Sequence, residues 1–174
     1  AIEKFSNIIQ DPVRLEISHK ISDILDNFIK GQEKDEPVFT LLKETLNKLN
    51  SPKLQAFSIQ LIYCYFLWNF LSALGYHPEI QKCAACGLKL NPYILYFSNK
   101  DGGIICKNCF SSDIEAKKTC PEHYRRINSD IVKILRLILK KDWQILSKLK
   151  VEVFSLDLFK EISDNYYRYI LSSH

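Results

Sequence analysis

The sequence predicts a mainly α-helical protein, a helical bundle carrying an inserted four-cysteine zinc module with a short β-hairpin. Three observations carry this. Only five Gly and six Pro in 174 residues leave little material for tight turns. Apolar residues recur at helical spacing before residue 76 and again after residue 128. Between these stretches, five of the six Cys and three of the five Gly fall within Tyr76–Arg126.

The elements follow in order. Asp11-Pro12 opens the first helix with an N-cap carboxylate and a Pro at the first helical position, and Gly31 ends it. Its apolar stripe is Ile17, Ile21, Ile24, Leu25 and Phe28. Pro37 starts a second helix with Phe39, Leu42, Leu46 and Leu49 on one face. The third runs from about Pro52 to Leu74 and is apolar nearly all round in its second half, so neighbours must surround it. Ile94–Phe97 and Ile104–Ile105, on either side of Asp101-Gly102-Gly103, read as a hairpin. Ser129–Lys140 then presents Ile131, Ile134, Leu135, Ile138 and Leu139 on one side. Trp143–Lys150 is a shorter helix or turn. Leu156–Leu171 closes the chain, with Leu158, Phe159, Ile162, Tyr166, Tyr169 and Ile170 as its expected buried side. The layout is a helical part over 1–80, a zinc-binding insert over 81–126, and a helical part over 127–174 that packs back on the first.

Composition excludes several classes. At 47% hydrophobic and 25% charged, with ten Phe, nine Tyr and two Trp, the chain can fill a core and is not disordered. The most apolar stretch, Leu61–Leu74, contains Asn69 and Ser72 and is shorter than the roughly 18–20 residues of a membrane span. Ala1–Gln10 has neither a basic n-region nor an apolar h-region, so a cytoplasmic protein is expected. There is no Gly-rich phosphate loop, no GxSxG and no HExxH, and the four His are scattered. No catalytic constellation or small-molecule substrate site is visible, so no enzyme is expected.

The cysteines carry the clearest chemistry. Cys83-Ala-Ala-Cys86 and Cys106-Lys-Asn-Cys109 are two CxxC pairs separated by nineteen residues, within the spacing of a tetrathiolate zinc site. Two Cys three apart can turn both sulfurs to one side of a tight knuckle, and a hairpin can bring up the other two. Gly87 suits the positive φ that such a knuckle needs. Four thiolates leave no open position for a reacting water, so the zinc would be structural. An insert of this size is expected to have almost no hydrophobic core of its own, so the metal would supply its folding free energy. Two disulfides would require an oxidising compartment, which nothing here indicates. Iron of rubredoxin type would use the same four thiolates. A redox CxxC belongs at a helix N-terminus after a strand, and neither pair reads as having that context. Cys64 reads as a buried hydrophobe and Cys120 as a free thiol in a turn, with His123 nearby.

The net charge of +4 is unevenly spread: −2 over residues 1–80, +4 over 81–126 and +2 over 127–174. Four thiolates and a zinc ion would halve the excess on the insert. Lys82, Lys89, Lys100, Lys107, Lys117, Lys118, Arg125 and Arg126 are the candidate nucleic-acid contacts, with Tyr93, Tyr96 and Phe110 as candidate stacking residues. A solvated surface would have the same composition.

Leu74-Gly75-Tyr76-His77-Pro78, the first CxxC with Gly87, Tyr96-Phe97-Ser98, Gly102-Gly103 and the second CxxC together resemble the bacterial recombination mediator family RecO. The opening Phe5…Asp11-Pro12-Val13-Arg14-Leu15 resembles the stretch that follows that family's N-terminal OB-fold. The resemblance implies a non-enzymatic DNA repair protein of recombinational gap repair, in the bacterial cytoplasm at the nucleoid. It implies binding to single- and double-stranded DNA and to single-stranded DNA-binding protein, and loading of RecA together with RecR. The OB-fold has no counterpart here, so the absence of any Met is expected to reflect a piece of a longer chain. The rival expectation is a zinc-stabilised protein-interaction module that never touches DNA.

Overall fold

A computed structural model describes residues 5–29, 35–117 and 122–173. The chain divides into two compact units, Ala1–Ala73 and Leu74–His174.

The first unit is helical: α1 (Ser6–Gln10), α2 (Pro12–Phe28), α3 (Glu36–Leu49) and α4 (Ala56–Ala73). Asp11 caps α2 as its sequence position predicts, its carboxylate accepting from the Val13 and Arg14 amides. Arg14 then does something periodicity does not reveal. It is buried, its Nε donates to Asp11 Oδ2 at 3.1 Å, and its Nη1 donates to the carbonyls of Leu49 and Ser51 at 3.1 and 2.6 Å. One guanidinium thereby satisfies carbonyls at the C-terminal end of α3 that have no partner within that helix. Asn7 adds a second tie, its side-chain amide donating to the Asn50 carbonyl at 2.7 Å. Arg14→Ala is expected to lower stability by about 2 kcal/mol, since bonds to a charged donor are lost and buried carbonyls are left bare. A urea unfolding curve checks this, with the midpoint falling and the slope unchanged.

Helix α4 packs against α2 and α3, and every residue from 61 to 71 is buried. Phe70 receives Phe28 edge-on at 5.9 Å and stacks with Phe66 at 5.5 Å. Asn69, the polar residue in this run, bonds its side-chain amide back to the Tyr65 carbonyl at 2.8 Å. The expected face of α3 needs correction: Val38, Leu41, Thr45 and Leu49 are buried, whereas Phe39 is 65% exposed. Gly31 lies outside the described residues.

The second unit holds β1 (Leu95–Ser98), β2 (Gly103–Cys106), α5 (Lys107–Lys117), β3 (Tyr124–Ile127), α6 (Ser129–Leu139), α7 (Trp143–Leu146) and α8 (Val153–Ser172). The predicted hairpin is present as β1 and β2, but it belongs to a three-stranded antiparallel sheet in the order β2-β1-β3. The sheet has two occupied faces. On one, Phe97 meets Tyr166 of α8 edge-on at 5.5 Å, and the Tyr166 hydroxyl donates to the Tyr76 carbonyl. On the other, Tyr96 stacks on Phe110 of α5 at 3.6 Å. Burial pushes the Tyr166 phenol up to about 12.

Asn128 caps α6 and also donates to Ser155 Oγ at 2.8 Å, holding the starts of α6 and α8 together. Leu156, outside the expected set, is buried and Leu158 only half-buried, while the buried side of α8 matches expectation at Phe159, Ile162, Tyr166 and Ile170. Tyr169 does not, being 38% exposed. Among the described residues, no helix is long and apolar enough to cross a membrane.

Candidate metal centre

The first pair of cysteines lies on a tight knuckle. Lys82 and Lys89 bridge its base, the Cys83 amide donates to the Leu88 carbonyl, and the Gly87 amide donates back to the Cys83 carbonyl, each at 2.8 Å. Closing so short a loop requires a left-handed residue, and Gly87 supplies it at φ +73°. The Ala84 amide donates to the Ile104 carbonyl at 2.8 Å, which ties the knuckle to β2. The second pair comes from the far end of that strand: Cys106 is its last residue, and Cys109 lies in the first turn of α5.

These placements bring all four sulfurs within 4.8 Å of one another. Cys83 and Cys109 approach to 3.8 Å, and Cys86 and Cys106 to 4.0 Å. A zinc ion with bonds of about 2.3 Å requires sulfur–sulfur edges of about 3.8 Å, so the four donors suit such an ion. Disulfides would need about 2.05 Å, and all four cysteines are free thiols.

The electrostatics of the cluster also suit a cation. Burial opposes ionisation of Cys83, yet the amides of Cys86, Cys106 and Ala85 outweigh it and bring the thiol down to about 7. Burial and the neighbouring sulfurs of Cys86, Cys106 and Cys83 push Cys109 upward. A divalent ion among the sulfurs would favour the thiolate at Cys83 and Cys109 alike.

Two expectations are corrected. The second CxxC does lie at a strand-to-helix junction, between β2 and α5. The sulfur–sulfur contacts at 3.8 and 4.0 Å nevertheless join one pair to the other, which suits a ligand set better than a redox pair. The insert also has a small core of its own. Cys83, Ile105 and Tyr124 are buried, with Ala84, Leu90, Tyr96 and Phe110 against them. The Tyr124 hydroxyl donates to Asp113 at 2.9 Å, and burial together with that carboxylate raises its phenol.

The profile of a protein family described as Recombination protein O C terminal matches residues 9–174. The chain belongs to the RecO C-terminal family. The DNA repair protein RecO of Thermoanaerobacter sp. (strain X514) is 29% identical over 150 residues, covering 86% of this chain and 55% of that protein. That of Listeria monocytogenes serotype 4b (strain CLIP80459) is 26% identical over 167 residues, covering 95% of this chain and 60% of that protein. The chain therefore spans little more than half the length of these RecO relatives. No solved structure matches it.

The residues that carry the RecO resemblance have physical roles here. Asp11, Pro12 and Arg14 start α2 and cap the end of α3. Gly102-Gly103 turns β1 into β2 and lets the backbone of Glu79 lie against the sheet. Among the candidate DNA contacts, Lys82, Lys89, Lys100, Lys107 and Arg126 are exposed. Arg125 is engaged within the protein, bonding Glu161 at 2.7 Å and the Glu122 and Tyr124 carbonyls. The Lys117 side chain and Lys118 lie outside the described residues, as does Cys120. Of the candidate stacking residues only Tyr93 is exposed, at 85%; Tyr96 and Phe110 stack on each other, unavailable to a base. Spacing alone does not separate a surface tyrosine from one that pairs across a small core.

Proposed function

We propose that this chain is the helical and metal-stapled part of a DNA repair protein of RecO type. In this reading the whole protein works in recombinational gap repair in the bacterial cytoplasm at the nucleoid, binds single- and double-stranded DNA and single-stranded DNA-binding protein, and acts with RecR to load RecA. The match of the family profile to residues 9–174 carries the reading. Its role is to bind and present surfaces rather than to catalyse. Cys83, Cys86, Cys106 and Cys109 hold structural zinc, which locks the knuckle onto β2 and α5. Their spacing and the closed, four-sulfur donor set support zinc over an ion that needs an open position.

The exposed cations Lys82, Lys89, Lys100, Lys107 and Arg126 make the insert's contact with DNA phosphates. A single-stranded oligonucleotide titrated at several salt concentrations tests this. Affinity should fall as salt rises, and Lys82→Gln with Lys89→Gln should flatten the log–log slope by about 1.4. Binding that ignores salt, or no binding, would instead favour a module that touches only proteins. The exposed Leu88, 68% accessible beside the knuckle, is the observation that speaks for that second reading.

A further inference from the structure

The densest basic stretch of the chain lies outside the zinc-binding insert. Residues 133–150 contain Lys133, Arg136, Lys140, Lys141, Lys148 and Lys150 against one acid, Asp142. The structure removes several of these from consideration as free charge. Arg136 donates to the Ile80 carbonyl at 3.1 Å, Lys133 pairs with Asp130, and Asp142 accepts from the Ile145 amide as the cap of α7. What remains is Lys140, Lys141, Lys148 and Lys150, all exposed. Among the described residues none of the four makes an ion pair. They bracket α7, whose four residues span only about 6 Å, so the four charges fall on one corner of the second unit. Ile145, 55% exposed, lies among them.

Lys141 supplies a second, independent observation. It terminates α6 in the left-handed region, at φ +56°, and no other non-glycine described residue has a positive φ. Its amide bonds to the Ile138 carbonyl and the Asp142 amide to the Leu137 carbonyl, the closure in which glycine is strongly preferred. A lysine here accepts backbone strain that glycine would relieve, which points to a use for the side chain.

We propose that this α6–α7 corner is a second contact surface for single-stranded nucleic acid, made by Lys140, Lys141, Lys148 and Lys150 around Ile145. Lysines act as point charges suited to a phosphate chain, whereas recognition of carboxylates favours bidentate arginine, and the arginine of this stretch is used internally. The exposed Ile145 favours a single strand, whose unstacked bases can rest on an apolar side chain, over a duplex. The proposal rests on the reading that the chain contacts DNA and adds a site to it.

The test uses the 174-residue chain and a fluorescent single-stranded oligonucleotide, titrated over a series of salt concentrations. Changing the four lysines to Gln should weaken binding at least tenfold at low salt and reduce the log–log salt slope by about 3. The Lys→Arg set should keep the binding, and a separate Lys82→Gln/Lys89→Gln variant should retain the portion due to this corner. Lys141→Gly should weaken binding severalfold while its thermal midpoint holds or rises, which a purely structural role would not produce. Undiminished binding by the four-Gln variant while the parent binds overturns this proposal alone. A parent that does not bind overturns the DNA reading as well. A labelled acidic peptide that binds this corner in place of the oligonucleotide assigns it to a protein partner and overturns the proposal.

Discussion

Stripping a metal bound by the four cysteines is expected to release the knuckle and α5 and to leave the rest of the second unit folded. The reason is the two-faced sheet. Phe97, Leu95, Ile104 and Ile127 are buried, and Phe97 meets Tyr166 of α8, so that face is held by ordinary apolar packing. Among the described residues, the opposite face carries a small cluster in which Cys83, Ile105 and Tyr124 are the buried members. Such a cluster cannot offset the entropy of ordering the knuckle and an eleven-residue helix. A structural zinc site contributes on the order of 10 kcal/mol, which can. Chelation should therefore abolish amide-exchange protection over residues 82–90 and in α5 while β1 and α8 remain protected. Cys83→Ser should do the same without chelator, because it also removes the sulfur that accepts the Cys106 amide at 3.3 Å. Unchanged protection over both segments would show that packing, not metal, holds this face.

The second large effect is expected at Gly103. A β-carbon there would lie within 3.0 Å of three backbone atoms of Glu79. Neither side can yield easily, because the Glu79 amide donates to the Gly102 carbonyl at 2.9 Å and the Ile104 amide donates to the Glu79 carbonyl at 2.8 Å. Those bonds align residue 79 with β2, and the chain reaches Cys83, the first of the four clustered cysteines, four residues later. Gly103→Ala must push this segment outward, breaking the bonds and displacing Cys83 together. A loss of about 3 kcal/mol is expected from the overpacking. Metal affinity should fall about 10–100-fold, as when a support behind the ligands is removed. Denaturant unfolding and chelator competition measure the two losses separately. A variant that keeps its metal but loses stability would separate the turn from the site.

The main helices and the four-cysteine cluster were legible in the sequence for different reasons. Helices α2, α4, α6 and α8 bury broad apolar surfaces, and periodicity reports such surfaces directly. The tetrad was legible because ligand spacing follows from the reach of a knuckle and a hairpin, whatever surrounds them. Strand β3 was not, because Tyr124-Arg-Arg-Ile places two arginines between its buried ends, and one of them is bound to Glu161. Helix α5 was hidden because its interior face is made of Cys109 and Phe110, which belong to the four-cysteine cluster and an aromatic stack rather than to a stripe. The face of α3 was misplaced through Phe39, whose size suggests a core residue although Val38 and Leu41 fill that role. Arg14 was missed because a charged residue on an amphipathic helix reads as solvated until a carbonyl terminus is seen beside it.

In the proposed reading four cysteines close one zinc ion, and that closure holds the knuckle and α5 on the sheet. Native mass spectrometry of the chain, purified without chelator, tests it most directly. The expected result is a colourless protein whose mass exceeds that of the apo chain by one zinc ion less the displaced thiol protons, an increment absent from Cys83→Ser. Iron in its place, no bound metal, or a zinc increment that survives the loss of Cys83 would contradict it.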